Sequence, residues 1–572
     1  MEKRKIKPIK EKKKKYTNVM IGMRDNIKLA ADIYFPSGEG SFPVILIRTC
    51  YNKAPDSNMN EICRTQAEFF TNHGYAVVVQ DVRGRGDSNG EWYPFFNEDV
   101  DGYDTVEWIG IQDWCNGNVG MWGVSYLALT SLMAARLTPP HLKAIFVGGE
   151  PDLFCEGGGF YMNNIPVTAI FHWLCMTNGH LNQFGLTEYT SKEESTLDMN
   201  KIYNTVPIKN MDYEAGMDFP WWHKGMQHVK DDYWKRIYLE EYYKDINIPI
   251  FHITGWYDDA ALGTVYNYIR MTNESKSKDK QYLLVGPWDH TQLREADNLT
   301  FGIDYGKEAI IDIPNIQLSF FDYYLKGKGN FEQTQPKEKI FALRENKWYT
   351  DIGVNEWLDY KGETKTLYLD SNGDARTIKG NGKLTEEKHD DINKYTYDPL
   401  NPTPSYDGWM LDSPDWNWVI EREDTLVYTS ETLEEEIHVA GYPKIKFYAS
   451  SNCRDTDFLV TLCDVHPDGR SIDVCGFQPG IRARYRDGLS EEKLLNPCEI
   501  YEFNLDLLPT YNVFNPGHKI RIIIKSAHFP LYLRNHNTGN NVLTDTEFEV
   551  ANNRIYHGTK YPTQLILPIL KR

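Results

Sequence analysis

The chain has 572 residues, too many for one hydrophobic core, so two to four domains are expected. Nine Lys/Arg and two Glu crowd the first fifteen residues of a chain whose formal net charge is −19, leaving about −26 on the remainder. A body that acidic repels phosphate backbones, which excludes nucleic acid as the main partner.

No stretch approaches the roughly 18 apolar residues of a membrane helix, and no apolar run follows the basic start as in a signal peptide. The expectation is a cytoplasmic protein with a disordered basic tail over residues 1–16. The nine cysteines are scattered, with no CxxC and no zinc-type Cys/His spacing, and read as buried free thiols.

From Val19 the chain alternates strands and helices. MIGMRDNIKLAADIYFP reads as a hairpin, and FPVILIRTC (42–50) as a continuous apolar strand of the kind buried on both faces. Helical spacing over 60–72 leads to a second buried strand, GYAVVVQDVRG. A helix over 99–112 comes next, then an apolar strand ending at Ser125, a helix from Leu127, and the strand HLKAIFVGGE (141–150). This rhythm predicts a parallel sheet with helices on both faces over 17–150.

Residues 151–240 change to aromatic-rich helix and loop, expected as a cap inserted over the carboxyl ends of the strands. The sheet pattern resumes over 241–332 with NIPIFHITGWYDD, KQYLLVGPWDH and a helix over 313–329. Beyond 333 short alternating strands such as DFLVTLCDV and HKIRIIIKSA, broken by Gly, Pro, Asn and Asp, predict an antiparallel sandwich over 333–572.

Ser125 sits in GVSYLA, at a strand-to-helix turn. A nucleophile elbow is usually G-x-S-x-G, because the strained turn needs small residues on both sides of the serine. Gly123 fits, while Ala128 lies one place beyond the second glycine position. An ordinary helix cap would also place a serine here. At the end of a buried strand, however, the N–H of Tyr126 and the helix N-terminus face any anion formed at the serine.

In this architecture the acid and base follow the serine in chain order, each just past a strand. Asp258 after FHITGWY and His290 after YLLVGPWD meet that order. Asp259 adjoins Asp258, and the order of residues does not separate them. Strand alternation sends the two acids to opposite sides, so one of them reaches His290. Asp289 is the weaker candidate because it adjoins His290 on one strand.

DVRGRGDSNG lacks the continuation and lysine of a phosphate loop, so Arg83 or Arg85 is expected to brace neighbouring loops. Most cap aromatics are expected in the cap core. Phe154, Trp173 and Trp222, with the small Ala260, are candidates for the substrate pocket.

Together GVSYLALT, RTCYNK (48–53), QDVRGRGDSNGEW (80–92), GWYDD, GPWDH, DTDF (455–458) and FNPGHKIRIIIKSAHFPLYLRNHNTG (514–539) carry a resemblance. The chain resembles the cocaine esterase, alpha-amino-acid ester hydrolase and Xaa-Pro dipeptidyl-peptidase group of serine hydrolases, from about residue 17 to the end. The family elbow is G-x-S-Y-x-G, from which Ala128 departs by one methyl group.

The resemblance implies an alpha/beta-hydrolase domain with a helical cap and a C-terminal jelly-roll domain of galactose-binding-like fold. It also implies Ser125 as nucleophile, His290 as base and Asp258 as orienting acid. The Tyr51 hydroxyl and the Tyr126 N–H would form the oxyanion hole. The expected reaction is ester hydrolysis through an acyl-enzyme, with amide or Xaa-Pro peptide cleavage by the same triad, or non-catalytic binding through the jelly-roll, as the alternatives. No metal or organic cofactor is expected. The partner is a small-molecule ester or amide, with neither nucleic acid nor membrane, and a homodimer stays open.

Overall fold

The computed structural model describes residues 15–53, 58–151, 161–162, 165–166, 169–179, 197–228, 233–405, 414–474, 476, 478–489 and 491–571. The basic tail and the pocket candidate Phe154 lie outside the described residues.

Ten strands make the first sheet. The hairpin of β1 (Lys15–Gly22) and β2 (Lys28–Tyr34) forms one edge, followed by β3 (Phe42–Thr49), β4 (Ala76–Asp81), β5 (Cys115–Val124) and β6 (Leu142–Gly148). The chain rejoins the sheet as β7 (Ile250–Tyr257), β8 (Gln281–Asp289), β9 (Glu338–Ala342) and β10 (Lys347–Thr350). Their order is β1-β2-β4-β3-β5-β6-β7-β8-β9-β10, with parallel pairing from β4 through β9.

β3 through β8 are apolar and almost wholly buried, as strands covered on both faces must be. Positions on β5 show the two layers. A Cβ at Gly120 would meet Phe321 and Leu325 of α6 (Ile313–Lys326), whereas one at Gly123 would meet Leu127 of α3 (Tyr126–Arg136). Strand residues three apart face opposite sides, so α3 and α6 cover opposite faces.

The chain runs from β3 outward to β4, then crosses back to β5 on β3's other side. The strand order therefore reverses between β3 and β5, where open α/β sheets leave a crevice at the strands' carboxyl ends. Tyr51 follows β3 and Ser125 follows β5, so both lie at that crevice.

The sheet continues past the expected boundary at 333. β9 joins β8 in parallel and β10 closes the edge at Thr350, so the first sheet takes in strands from beyond 333. The second domain is all-β: a 12-stranded sheet plus the pair Ile437–Gly441 and Thr510–Phe514. Its pairing is antiparallel except between Lys383–Thr385 and Leu426–Ser430.

The β-domain packs behind β7. A Cβ at Gly476 would lie 2.4 Å from the Tyr257 Cα, and the Gly476 N–H donates to the Trp256 carbonyl at 2.8 Å. Arg344 donates to the Tyr257 hydroxyl and to the Asp473 carbonyl, linking the two domains. Of the cysteines placed, Cys498 is exposed, contrary to expectation, and the other six are buried and free. Among the described residues no helix is long and apolar enough to cross a membrane.

Candidate active site

Ser125 adopts φ 63° and ψ −129°, a conformation an L-residue holds only where its surroundings impose it. Two contacts impose it here. The Ser125 N–H donates to the Gly148 carbonyl of β6, and the Ser125 carbonyl accepts from the Ala128 and Leu129 N–H groups. A Cβ at Gly123 would lie 2.1 Å from the Leu127 carbonyl, so the turn closes only over a glycine there. Ala128 is fully buried in the first turn of α3, its methyl group accommodated where the family pattern has glycine.

His290 follows β8, whose register shifts between Gly286 and Asp289. Such a bulge re-aims the side chain beyond it. Gly255 and Gly286 pair across β7 and β8, and a Cβ at either would collide with Trp288. The imidazole lies against Gly149, where an added Cβ would sit 2.9 Å from His290 Cε1. Gly149 directly follows Gly148, whose carbonyl holds the Ser125 N–H, so base and elbow share one strand end. Asp289 accepts from the Thr291 and Gln292 N–H groups and caps the short helix that carries His290.

Asp258 Oδ1 lies 2.7 Å from His290 Nδ1, accepts from the Ala260 N–H, and Asp258 Oδ2 accepts from the Thr254 hydroxyl at 2.6 Å. Asp259 differs from expectation. Its Oδ1 also lies near His290 Nδ1, at 3.2 Å. Both acids follow the last residue of β7, where the Asp258 N–H turns back to the Gly255 carbonyl and the chain curls into α5 (Ala261–Glu274). Alternation ends with the strand, so adjacent side chains can converge.

Burial opposes charge on all three groups. For Asp258 the His290 contact outweighs burial and holds the carboxyl below its usual range. Asp259, with burial and the neighbouring Asp258 charge both against ionisation, is held above it. Burial disfavours the imidazolium of His290, but the two carboxylates outweigh it and hold the group well above the ordinary imidazole value.

Aromatic rings order the opposite side of the crevice. Trp173, on the cap helix α4 (Ala169–Thr177), stacks on Tyr126 at 5.7 Å and on Phe95 at 5.7 Å. Its indole N–H donates to the Tyr51 hydroxyl at 3.1 Å, so Trp173 joins the residue after Ser125 to the residue after the β3 turn. Tyr126 begins α3, so its N–H belongs to the helix's first turn, where donors have no intrahelical acceptor.

Three buried charges hold this wall, and of these the sequence singled out only Arg85. In α2 (Glu98–Gly110), Glu98 accepts from the Tyr126 hydroxyl at 2.8 Å and pairs with Arg48 of β3 at 2.7 Å. Arg85, fully buried, donates to the Cys50 carbonyl and to the carbonyls of Thr177 and Gly179 at the end of α4, and lies over Trp92. Arg83 pairs with Asp101 and Asp25. The GRG turn thus braces neighbouring loops, with Arg85 tying Cys50, beside Tyr51, to the helix that carries Trp173.

The other pocket candidates divide. Ala260 is buried beside the acid. Trp222 lies in the cap core against Phe171, whereas its neighbour Trp221 packs on Phe95.

Three acid–histidine groups among the described residues have spacing that could hold a cation. In the first, His290 Nδ1 already faces two carboxylates. In the second, Asp212 accepts from His223 and from two backbone N–H groups. In the third, Arg344 Nε lies 3.6 Å from Asp464 Oδ2, and its fixed charge repels a metal ion.

A strained serine at a β-strand's carboxyl end, with an acid–histidine pair just past the adjacent strands β7 and β8 of the same sheet, places the molecule among the alpha/beta-hydrolases. Residues 25–292 match the X-Pro dipeptidyl-peptidase (S15 family), and residues 330–566 match the X-Pro dipeptidyl-peptidase C-terminal non-catalytic domain. The cocaine esterase of Rhodococcus sp. (strain MB1 Bresler) is 32% identical over 580 residues, covering 97% of this chain and 98% of that protein.

The chain belongs to this cocaine esterase and X-Pro dipeptidyl-peptidase family, and it is a serine hydrolase. The fold matches an alpha-amino acid ester hydrolase at TM-score 0.82 and 24% identity, covering 98% of this chain and 97% of the other. It also matches an aminopeptidase from the marine sediment archaeon Thaumarchaeota archaeon at TM-score 0.81 and 23% identity, over 100% of both chains.

Proposed function

We propose that the protein hydrolyses a carboxylic ester through an acyl-enzyme at Ser125. The observation that carries this reading is the strained Ser125 turn, bonded through its N–H to Gly148, with His290 packed on Gly149 and bonded to Asp258 at 2.7 Å. His290 Nε2 takes the Ser125 hydroxyl proton as Oγ attacks the acyl carbon, and Asp258 keeps the other proton on Nδ1. The carbonyl oxygen becomes an oxyanion, which the Tyr126 N–H and the Tyr51 hydroxyl stabilise. Collapse expels the alcohol, protonated by His290, and water repeats the sequence to release the acid.

Full-length similarity to a cocaine esterase favours the ester over the amide. The match to the X-Pro dipeptidyl-peptidase family supports the second reading, cleavage after Xaa-Pro by the same residues. Turnover of a para-nitrophenyl ester against an Xaa-Pro anilide separates them. Faster ester turnover is expected, and a preference for the anilide would replace the first reading with the second.

A further inference from the structure

Resting on the triad reading above, we infer that the acid position is held by two carboxylates, Asp259 being a second positioning residue for the base. The two differ in how they are held. Asp258 accepts from three donors, the Nδ1–H of His290, the Ala260 N–H and the Thr254 hydroxyl, which together fix a carboxylate. Asp259 Oδ1 is buried and accepts no hydrogen bond, and His290 Nδ1, whose proton goes to Asp258, lies 3.2 Å from it. Nothing in the strand register requires this convergence. It arises because β7 ends one residue before the pair and the chain turns there.

The consequence concerns the tautomer. In a Ser-His-Asp triad with one acid, changing Asp to Asn costs about ten-thousand-fold, because the amide donates to Nδ1 and leaves the proton on Nε2, where the base must accept. Here a carboxylate remains at Nδ1 after Asp258 is changed. Asp259 Oδ1, 3.2 Å from Nδ1, is then placed to take over the Nδ1–H, so Nε2 stays ready to take the serine proton. Asp259 also sits beside Asp258, and burial and that like charge both favour its protonated form. Removing the Asp258 charge removes the repulsion, so Asp259 ionises more readily when it is needed.

The test compares kcat on a para-nitrophenyl ester for Asp258→Asn, Asp259→Asn, the double Asn variant, and Asp258→Asn/Asp259→Glu, with melting temperatures as the folding control. Asp259→Asn is expected to lose less than about tenfold, and Asp258→Asn less than about a thousandfold. The double Asn variant should reach the ten-thousand-fold loss of a triad without its acid. Asp258→Asn/Asp259→Glu should recover at least tenfold over the double Asn variant, with KM unchanged throughout, a rescue that a purely structural role would not give.

A loss above a thousandfold in Asp258→Asn alone overturns the inference, and this arm stands even if the double variants fail to fold. A double Asn variant no slower than Asp258→Asn also overturns it, while leaving the triad intact. Wild-type turnover in the double Asn variant would instead bring down the triad reading itself.

Discussion

The two sides of the crevice are built from different materials. At β7 and β8 the side chains are charged, and the attraction of His290 for Asp258 and Asp259 is set against the cost of burial and the repulsion between the two acids. At β3 and β5 the working groups are neutral: a backbone N–H and a phenol, positioned by the strained Ser125 turn, Trp173 stacking and an indole hydrogen bond. On the proposed mechanism the difference follows the chemistry assigned to each side. A base must change charge during the reaction, and its neighbours set when it does so. An oxyanion hole must not change at all, so it is made of fixed dipoles whose orientation is settled before substrate arrives. Among the described residues, Arg48, Glu98 and Arg85 place charge one layer back on this second side, where it braces rather than reacts.

Breaking the centre affects both sides and should have the largest effect. Ser125→Ala should lower ester turnover by about a million-fold while the melting temperature stays near wild type, because only the nucleophile is lost. Turnover near wild type would remove Ser125 from the mechanism.

Tyr51→Phe tests the neutral side. Losing one oxyanion donor costs about 3 kcal/mol of barrier, or about a hundredfold in kcat, with KM little changed, since the interaction forms in the transition state. A loss below about fivefold would leave Tyr51 as a packing residue whose hydroxyl merely receives the Trp173 indole.

The charged side should show itself in the pH profile. The imidazole must be neutral to accept a proton, so kcat/KM rises with pH through the His290 pKa. The two carboxylates hold that pKa well above the ordinary imidazole value. The acid limb of the wild-type profile should accordingly lie to the alkaline side of a free imidazole. In Asp258→Asn, with one anion gone, it should move to lower pH. An unmoved limb would mean that His290 does not govern the profile.

Smaller still, Trp173→Phe keeps the stack on Tyr126 and removes the donor to the Tyr51 hydroxyl. Losing that hydrogen bond, about 1 kcal/mol, should cost roughly fivefold in kcat. An unchanged rate would show that the indole does not position the phenol. EDTA should change nothing, because His290 Nδ1 bonds a carboxylate instead of a metal ion. Activity lost on chelation and restored by zinc would replace the acid–base reading of the cluster.

Much of this was legible in the sequence, and the rest was not for identifiable reasons. FPVILIRTC, GYAVVVQD and HLKAIFVGG are continuous apolar runs, and each became a buried strand of the first sheet within a few residues of its expected bounds. The polar strand Asp391–Tyr397 (DINKYTY) has no such signal, because its outward positions face water. The sheet's extension to Thr350 was hidden because KIFAL and KWYT resemble the alternating strands that follow them.

At the site, chain order pointed to Ser125, His290 and the Asp258–Asp259 pair, since each lies just past a strand, and the family resemblance chose Asp258. Period-two alternation, correct within β7, failed one residue beyond its end, and so Asp259 was placed away from His290. Glu98 left no local trace, and Arg85 was expected to brace a neighbouring loop, but its partners were not legible. Their partners lie 28 and 35 residues or more away in the chain, and only the folded sheet brings them together.

The central claim is that Ser125 is the nucleophile on which both sides of the crevice converge. Reaction with a fluorophosphonate, followed by mass spectrometry of the digested protein, tests it most directly. The account predicts one adduct per chain, on the peptide containing Ser125, with esterase activity lost in step and no adduct in Ser125→Ala. An active enzyme that takes no label, or takes it on another residue while activity falls, would contradict it.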